Sequence, residues 1–464
     1  MLRLYDTRSR QVEPILPAGG RLLRMYSCGP TVYRHAHIGN LRSYLLSDLI
    51  RRVCERRRVR VEVSQNITDV GHLADDTDAD LSGEDKVLAQ SRREGRSPFE
   101  LARFYEDAFR ADAAALNFRP PEHMPRASET IDLMIELIAK LIEKGHAYAD
   151  PDGSVYFDAI SFPTYGEISG NRLDRLQPAH RIEGIDPRKR FHADWALWKP
   201  ATGEMTWDAP WGRGFPGWHI ECSAMSLHFL GERIDVHTGG IDLRFPHHED
   251  ERAQSNAATG HDVVAHWVHG EHLLFEGRKM AKSTGNVVLL SDVVAAGLDP
   301  LAVRLALMEH RHRHQMNLTW DTLRAADKTL RRWRTRVAEW AETPSRPLST
   351  DHVTRVEAAL DDDLDTPLAL RVMRELERAE SLPPGARLET FLHLDQVLAL
   401  DLSAEIGKLG AAPLPAGASA LLEERERARA ARDWTASDRL RGELAALGVR
   451  VTDTPEGQVA APER

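Results

Sequence analysis

The sequence predicts an α/β domain with a parallel sheet that contains an insertion and is followed by an all-helical region and a small C-terminal module. Three observations support this prediction. A strand, an amphipathic helix and a second strand follow one another near the N-terminus, a proline-rich stretch then interrupts the pattern, and the second half of the chain has long helical patterns. Parallel sheets bind ligands at the carboxyl ends of their strands, so we expect functional residues there.

The first α/β unit is predicted from the apolar pattern near the N-terminus. A buried strand is predicted over residues 22–28, and a helix is predicted to begin near Arg42, because apolar residues recur from there at helical spacing. A second strand is predicted over residues 59–63. Cys28 and Thr68 follow the two strands and are expected at the same edge of the sheet.

An insertion is predicted after this unit. Prolines punctuate residues 120–125, and an amphipathic helix over residues 131–142 is closed by Gly145. Short strand-like and turn-rich pieces follow. The α/β pattern resumes at residues 233–237, so the second half of the sheet is expected beyond the insertion.

The remaining chain is predicted to be nearly all helix. Asp299 and Pro300 give an N-cap followed by proline at the first helical position, and long helical patterns cover residues 323–340 and 353–400. Glycines and prolines in residues 407–419 predict a linker. Two charged helices, a short strand and a turn then form a small terminal module.

Composition sets broad limits. The 464 residues predict about two to four domains, and 42% hydrophobic with 28% charged residues is typical of a soluble globular protein. No run of about 18 apolar residues occurs, and the N-terminus has no basic segment followed by an apolar run, so we expect a cytoplasmic protein without a membrane partner.

Cysteine and charge patterns narrow the class further. Cys28, Cys54 and Cys222 are too few for a disulfide framework, and Cys54 lies on an apolar helix face and is expected in the core. The formal charge of −10 argues mildly against a nucleic-acid partner. Basic runs at residues 51–60, 311–314 and 328–336 could bind phosphate locally, although a solvated helix face explains each run equally well.

Two separated motifs point to ATP. The run His37-Ile38-Gly39-Asn40 precedes a predicted helix, where unpaired N–H groups and the helix dipole attract phosphate. The run Lys279-Met280-Ala281-Lys282-Ser283 offers ammonium groups for pyrophosphate. Either run alone is more often an ordinary turn or a pair of surface lysines, but together they indicate a nucleotide site. We predict catalytic roles for His37, Asn40, Lys279 and Lys282, and ATP contacts from these residues, Gly39 and Ser283.

Three further pieces complete a family pattern. They are Cys28, the run Trp218-His219-Ile220-Glu221-Cys222 and the run His247-His248-Glu249-Asp250-Glu251. With both ATP motifs in order, the chain resembles the cysteinyl-tRNA synthetases, which are class I aminoacyl-tRNA synthetases, over nearly its whole length. The resemblance implies a Rossmann-type catalytic domain with an insertion and an anticodon-binding module at the C-terminus.

The resemblance implies an activity and its partners. These are ATP-dependent ligation of L-cysteine to tRNA(Cys) through a cysteinyl-adenylate, one Zn²⁺ per chain that selects cysteine over serine through its thiolate, Mg²⁺ accompanying ATP, and a monomeric enzyme. Shape alone separates such near-isosteres by only about 10- to 200-fold, whereas zinc prefers sulfur. The inserted segment looks too short for a separate editing domain.

The resemblance also assigns the metal ligands as Cys28, Cys222, His247 and Glu251. Two thiolates, one imidazole and one carboxylate form a set that zinc accepts. In an isolated helix His247 and Glu251 share a face and His248 turns aside. Lone cysteines are usually small buried hydrophobes, and we expect His219 to be the main competing ligand.

Substrate contacts are implied in the same way. For cysteine they are Gly29, Thr68, Trp218, His237 and Asp242, with Asp242 binding the ammonium group, Thr68 and His237 the carboxylate, and Trp218 closing the pocket. For tRNA they are Arg311, Arg313, Arg432, Trp434 and Asp438. Trp434 is expected to stack on a splayed anticodon base.

The predicted division of the chain follows from these assignments. It is 1–119 and 192–275 for the two halves of the catalytic domain, 120–191 for the connective insertion, 276–345 for the lysine-loop and stem-contact region, 346–406 for a helical bundle, 407–419 for the linker and 420–464 for the anticodon-binding module.

The sequence departs from the family at a few positions and leaves two rivals. The first motif ends in Asn40 where histidine is usual, Ala281 replaces a commoner serine, and the C-terminus lacks a tryptophan often found there.

A related ligase that joins cysteine to an amino-sugar would share the zinc and ATP sites without needing the terminal module. A zinc-containing RNA-binding protein without catalysis would not need His37 and the two lysines.

Overall fold

The computed structural model describes residues 1–18, 20–71, 85–176, 186–280, 286–408, 415, 417–454 and 457–462. The chain falls into two compact units. The first comprises Met1–Leu330, Ser349–Ala379 and His393–Leu400, and the second comprises Arg331–Leu348, Glu380–Leu392 and Asp401–Arg464.

In chain order the strands are β1 (Arg3–Asp6), β2 (Gln11–Pro14), β3 (Leu22–Ser27), β4 (Arg60–Gln65), β5 (Ala147–Ala149), β6 (Val155–Phe157), β7 (Trp195–Pro200), β8 (Gly214–Pro216), β9 (Ile234–Gly240), β10 (Val264–Gly270), β11 (Leu273–Phe275), β12 (Arg278–Lys279), β13 (Met316–Leu318), β14 (Val449–Thr454) and β15 (Gly457–Pro462). The helices are α1 (Ile38–Arg56), α2 (Lys86–Glu94), α3 (Pro98–Ala115), α4 (Ile131–Glu143), α5 (Trp218–Leu230), α6 (His247–Thr259), α7 (Leu290–Ala295), α8 (Pro300–Met308), α9 (Trp320–Ala341), α10 (Thr350–Asp361), α11 (Thr366–Glu377), α12 (Pro384–Leu398), α13 (Ala418–Ala430) and α14 (Trp434–Ala446).

A four-stranded parallel sheet organises the first unit. Its order is β10-β9-β3-β4, with β3 paired in parallel to both β4 and β9. Strand β9 is buried along its whole length, as expected for a sheet covered on both faces. The carboxyl ends of these strands lie at one edge, so the predicted parallel α/β class is confirmed.

Helix α1 begins earlier than predicted. Its start was expected near Arg42, but His37 is the N-cap. The ring Nδ1 of His37 accepts a hydrogen bond from the Asn40 amide at 3.2 Å, and the Asn40 side-chain oxygen accepts one from the His37 amide at 3.1 Å. This reciprocal pair is a capping box, and the Asn40 amide also donates to the carbonyl oxygen of His37 at 2.9 Å. The start was missed because it is set by this side-chain cap, although Ile38 and Leu41 of the first turn are apolar and buried.

The insertion carries its own antiparallel sheet, in the order β5-β6-β7-β8. Helix α4 precedes it and ends near Gly145, whose φ of 79° is the left-handed conformation expected at a helix C-terminus. The predicted division at residue 191 falls between β6 and β7 of this single sheet.

Between residues 271 and 408 the described chain is helical apart from the small sheet β12-β11-β13. The helical pattern predicted over residues 353–400 forms three helices, α10, α11 and α12. It breaks between α10 and α11 because Asp363 and Leu364 adopt positive φ angles of 54° and 51°, and Asp365 then caps α11.

The terminal module packs α13 and α14 together with the hairpin β14–β15, around Ala418, Leu444 and Val449. The buried Arg425 forms a bidentate ion pair with Asp453, in which Nη1 donates to Oδ1 at 2.9 Å and Nη2 donates to Oδ2 at 3.0 Å. Most of the predicted linker lies outside the described residues.

Candidate active site and metal centre

A cleft of about 400 Å³ opens at the carboxyl edge of the central sheet. Eight of the site residues predicted from the sequence line this cleft: Cys28, Gly29, His37, Gly39, Asn40, Trp218, Asp242 and Lys279. These residues come from five separate stretches of the chain. A larger depression of about 690 Å³ on the insertion, beside Tyr165, contains none of them, so cavity size alone does not mark the site.

His37 presents one defined hydrogen-bond donor at the start of α1. Since the Asn40 amide donates to Nδ1, the neutral ring carries its proton on Nε2. Burial and the nearby Arg34 guanidinium lower the pKa of His37 to about 4, so the ring is neutral at pH 7. The Nε2–H group and the positive end of the helix dipole therefore act together as an anion site.

Two glycines let backbone approach the cleft. A Cβ at Gly29 would lie 1.6 Å from the carbonyl oxygen of Asn66, so no other residue fits there without moving the backbone. A Cβ at Gly39 would lie 2.6 Å from the Met280 Cε, which ties the first motif to the start of the second.

Lys279 lies at the end of the short hairpin β11–β12 and is exposed on the wall of the cleft. The following Met280 is buried against Gly39. The predicted Lys282 and Ser283 lie outside the described residues. Of the second motif, the described part therefore contributes one ammonium group to the cleft.

Four buried donors form what we call the floor of the cleft: Cys28, which lines the cleft, and Cys222, His247 and Glu251, which lie behind it. Their ligand atoms all lie within 4.8 Å of one another. Cys28 follows β3, Cys222 lies in α5, and the other two lie one turn apart in α6. The His247 Nε2 is 2.9 Å from Glu251 Oε1, and the two Sγ atoms are 4.0 Å apart.

The chemistry of this cluster fits a soft divalent cation. Burial raises the pKa of both the Cys28 thiol and the Glu251 carboxyl, so their charged forms are costly when unpaired. No lysine or arginine of the described chain pairs with Glu251. Two sulfurs, an imidazole nitrogen and a carboxylate oxygen form a donor set that zinc binds.

A second donor set overlaps the first and was missed from the sequence. It consists of Cys28, His237, His248 and Glu251. His248 Nε2 is 3.2 Å from Cys28 Sγ, so the prediction that His248 turns aside was wrong. The helix-face argument failed because α6 is buried on all sides from its first residue to Ala258.

His219 is not the competing donor that was predicted. Its Nδ1 is 2.8 Å from Nδ1 of His247, so it lies behind that residue as a hydrogen-bond partner. His248 is held in a similar way, with its Nδ1 2.8 Å from His269 Nε2. Such outer contacts fix the ring orientation of histidines in metal sites.

The predicted cysteine-contacting residues fall into two groups. Trp218 and Asp242 line the cleft, and Trp218 stacks on His247 with ring centroids 4.2 Å apart. A Cβ at Gly240 would lie 2.3 Å from Asp242 Oδ1, so glycine lets this carboxylate lie against the backbone. Within the described chain no cation pairs with Asp242.

Thr68 and His237 do not line the cleft. The Thr68 hydroxyl donates to Glu221 Oε2 at 2.9 Å, and His237 Nε2 lies 3.5 Å from both Cys28 Sγ and Glu251 Oε2. Both side chains are buried. His237 therefore contacts two residues of the floor, whereas Thr68 contacts Glu221 and Asn66.

The two arginines predicted to contact the tRNA stem are engaged in ion pairs. Arg311 pairs with Asp365, and Arg313 Nε donates to Asp363 Oδ2 at 2.6 Å. The guanidinium of Arg313 also lies 4.4 Å from the ring centroid of Tyr5. In the terminal module, Arg432, Trp434 and Asp438 are exposed, with Trp434 and Asp438 one turn apart on α14.

Arg42 is a buried residue that sequence reasoning did not single out. Its guanidinium donates to the carbonyl oxygens of Glu271 and His272, at 2.6 and 2.9 Å, and of Arg311 and His314, at 3.1 and 2.7 Å. An arginine at a buried position of a helix was the available signal.

Comparison with known proteins defines the class. Residues 15–328 match the family model for the tRNA synthetases class I (C) catalytic domain, and residues 411–459 match the cysteinyl-tRNA ligase anticodon binding domain. The fold is shared with Mycobacterium tuberculosis methionyl-tRNA synthetase in complex with methionyl-adenylate, with a TM-score of 0.55 and 16% identity over 82% of this chain and 90% of that one. A LeuRS–tRNA–LeuAMS complex from Agrobacterium radiobacter K84 gives a TM-score of 0.59 at 12% identity, over 82% and 84% of the two chains. The protein is a class I aminoacyl-tRNA synthetase.

Full-length relatives narrow this class. The cysteine–tRNA ligase of Salinibacter ruber is 41% identical and covers 98% of this chain and 97% of its own length. Cysteine–tRNA ligase 1 of Burkholderia lata is 44% identical over 98% and 96%, and a Thermus thermophilus cysteine–tRNA ligase is 42% identical over 98% of both chains. The chain belongs to the cysteine–tRNA ligase family, which confirms the resemblance. Across the part of the chain that the structure describes, no helix is both long and apolar enough to cross a membrane.

Proposed function

We propose that this protein activates L-cysteine with ATP as cysteinyl-adenylate and transfers the cysteinyl group to the terminal adenosine of tRNA(Cys). The observation that supports this proposal most strongly is that His37 and Cys28 line one cleft. His37 forms an anion site there, and Cys28 belongs to a buried cluster of sulfur, nitrogen and oxygen donors. Family membership supports ATP and tRNA as the other substrates.

The phosphate side of the cleft would accelerate adenylation by meeting developing charge. Attack of the cysteine carboxylate on the α-phosphate adds negative charge to the phosphoryl oxygens and releases pyrophosphate. The Nε2–H of His37 is a neutral donor held in advance by the Asn40 amide. Lys279 supplies an ammonium group on the same wall, and we propose that Lys282, Ser283 and a Mg²⁺ ion act on the departing pyrophosphate.

The buried cluster would select the amino acid. Cys28, Cys222, His247 and Glu251 would hold one zinc ion, which supplies a soft Lewis acid that favours a thiolate over an alcohol. This discrimination exceeds what shape allows between cysteine and serine, and it would remove the need for editing. His237 and His248 are the alternative donors, and we assign them to orienting Cys28 and Glu251.

The remaining groups orient the amino acid. Asp242 has no competing cation in the described chain and faces the cleft, so we assign it to the α-ammonium group. Trp218 would cover the side chain, because it lies on the cleft wall against His247. Gly29 would allow close approach of the substrate, and Thr68 would act through Glu221.

The terminal module favours tRNA over an amino-sugar as acceptor. It matches an anticodon-binding domain, which an amino-sugar ligase would not require. Exposed Trp434 and Asp438 on one helix face give a stacking ring and a polar group for base recognition. We retain the predicted domain division and a monomeric state as parts of this proposal.

A set of paired assays tests the proposal. Cysteine should support exchange of pyrophosphate into ATP, serine should support far less, and tRNA rather than an amino-sugar should accept the cysteinyl group. Lys279→Ala should lower exchange strongly while bound zinc, measured by elemental analysis, stays near one per chain. Active protein without a bound transition metal would contradict the selection mechanism, and equal loss of exchange and metal in the variant would indicate misfolding.

A further inference from the structure

One wall of the cleft mouth carries aromatic rings and guanidinium groups that the adenylation chemistry does not use. We call these six residues the aromatic strip: Tyr33, Arg34, His35, Arg96, Phe104 and Tyr105. The first three lie between β3 and α1, Arg96 lies between α2 and α3, and the last two lie on α3. Four of the six line the same cleft as His37.

The strip is built from alternating rings and cations. The Arg34 guanidinium lies 5.0 Å from the ring centroid of Tyr33, and that of Arg96 lies 4.5 Å from the centroid of Phe104. The His35 ring packs on α3, with its centroid 5.1 Å from that of Tyr105 and 6.0 Å from that of Phe104, and it follows Tyr33 and Arg34 directly in the chain. The rings of His35, Phe104 and Tyr105 therefore form one cluster, and Tyr33 with Arg34 extends it along the cleft.

The two guanidiniums are available to a ligand. Within the described chain neither Arg34 nor Arg96 has a carboxylate at ion-pair distance, whereas Arg311 and Arg313 both do. One nearby carboxylate, Glu94, accepts hydrogen bonds from Tyr105 at 2.6 Å and from Gln90 at 2.7 Å. In a chain of net charge −10, two unpaired cations beside the cleft are a local positive site.

The strip also exposes apolar surface. Phe104 is 44% exposed although it contacts both the Arg96 guanidinium and the His35 ring. An exposed phenyl ring next to an unpaired arginine is the arrangement that binds single-stranded nucleic acid, since bases stack on the ring and phosphates meet the cation.

We propose that the aromatic strip binds the unpaired 3′ end of the tRNA and leads its terminal ribose to the adenylate. This inference rests on the proposed function. Transfer requires the last nucleotide to reach the phosphate site at His37, and four strip residues line the cleft that contains His37, with Phe104 packed against two of them. A single strand suits this wall because its bases are free to stack, whereas a duplex would hide them.

Binding of tRNA with and without its 3′-terminal nucleotides tests the strip directly. Removing these nucleotides should weaken binding to the wild-type protein by roughly 5- to 150-fold, the range for loss of a stacked base, and should weaken binding to Phe104→Ala much less. Phe99→Ala is the matched control, since Phe99 is 42% exposed on the same helix and is not part of the strip. Equal effects of trimming on the wild type and Phe104→Ala would overturn the inference.

A second comparison addresses the cations. Arg96→Ala should weaken binding of intact tRNA and reduce its dependence on salt by about one counterion, while Arg93→Ala, three residues away on the exposed side of α2, should change neither. Arg34 is left intact because it lowers the pKa of His37. Identical behaviour of the two variants would argue against a site at Arg96.

Pyrophosphate exchange separates this inference from the proposed function. Phe104→Ala should lower kcat/KM for tRNA in aminoacylation. Cysteine-dependent pyrophosphate exchange by the same variant should continue, which would show that its catalytic domain is folded. Absence of exchange in the wild-type protein would refute the proposed function, whereas the trimming comparison measures binding alone and needs no catalysis.

Discussion

At the scale of single residues, His37 combines two tasks that substitution can separate. Its Nδ1 caps α1 by accepting the Asn40 amide, and its Nε2–H is left for a ligand. Asparagine is also a good N-cap residue, so its side-chain oxygen can replace Nδ1, but it cannot place a donor where Nε2 lies.

His37→Asn should therefore keep the fold and lose the chemistry. We expect exchange to fall by about 10²- to 10³-fold, as for loss of one preorganised donor, with little change in the melting temperature. His37→Ala should lose the donor and also about 1 kcal/mol of helix stability, because the cap is lost as well. Calorimetry and exchange assays on both variants check this, and a similar loss of stability in both would refute the separation of roles.

The lowered pKa of His37 also fixes a direction for its pH dependence. Because burial and Arg34 lower this pKa to about 4, the folded protein binds fewer protons at this site than the unfolded chain between about pH 4 and pH 6.5. The contribution of His37 to stability is therefore present above pH 6.5 and is lost as pH falls towards 4. The ring remains a neutral donor at neutral pH.

At the scale of elements, Arg42 joins the first motif to two loops. It lies on α1, two residues after Asn40. Its guanidinium donates to the carbonyl oxygen of Glu271, just before β11, and to those of Arg311 and His314 in the 311–314 segment. Glu271 and His272 line the cleft, so Arg42 positions one of its walls without lining the cleft itself.

Replacing Arg42 tests this linkage. A lysine ammonium lacks the planar fork that reaches several acceptors, so Arg42→Lys should destabilise the first unit by about 2 kcal/mol, the value of a charge-assisted hydrogen bond, and should lower kcat of exchange more than it raises KM. Arg57→Lys is the control, since Arg57 forms partly exposed ion pairs at the other end of α1. Urea unfolding and exchange kinetics provide the readouts, and equal effects of the two substitutions would contradict the positioning role.

The sequence predicted the helices and strands well where the apolar periodicity was strong. It failed where a side-chain cap, a backbone angle or tertiary packing determines the structure. The strands around Cys28, helix α4 and helix α9 follow their apolar patterns closely. The start of α1 and the break at Asp363 were missed, because one depends on a side-chain cap and the other on a positive φ angle. His248 was misplaced because a fully buried helix has no outward face.

At the scale of the whole molecule, the site depends on residues far apart in the chain. Motifs carried by the resemblance gave the four-donor cluster, but no pattern along the chain reveals that His237 and His248 share its floor or that Arg311 is paired with Asp365. Such contacts are set by tertiary packing and become visible only in three dimensions.

A buried ion cluster holds distant segments of the first unit together. Asp48 of α1 lies 2.6 Å from the Arg304 guanidinium and 2.8 Å from that of Arg52. Arg304 is fully buried and also donates to the carbonyl oxygens of Leu398 and Leu116, at 2.7 and 3.0 Å. Burial alone would raise the pKa of Asp48, but the two guanidiniums outweigh it and lower the pKa below its usual value.

The lowered pKa of Asp48 predicts how the stability of the fold responds to acid. A carboxyl group with a lowered pKa stabilises the fold above its unfolded value, about 3.9, and loses that contribution as pH falls through the folded value. Asp48→Asn leaves Arg304 without its partner, so it should cost about 3 to 5 kcal/mol at pH 7. The difference in unfolding free energy between wild type and variant should then shrink below about pH 4, because protonation removes the same charge from the wild type. Asp321→Asn, at a side chain that is 95% exposed, should leave the difference small at every pH. Urea unfolding at several pH values decides the matter, and parallel curves for wild type and Asp48→Asn would show that the Asp48 charge does not stabilise the fold.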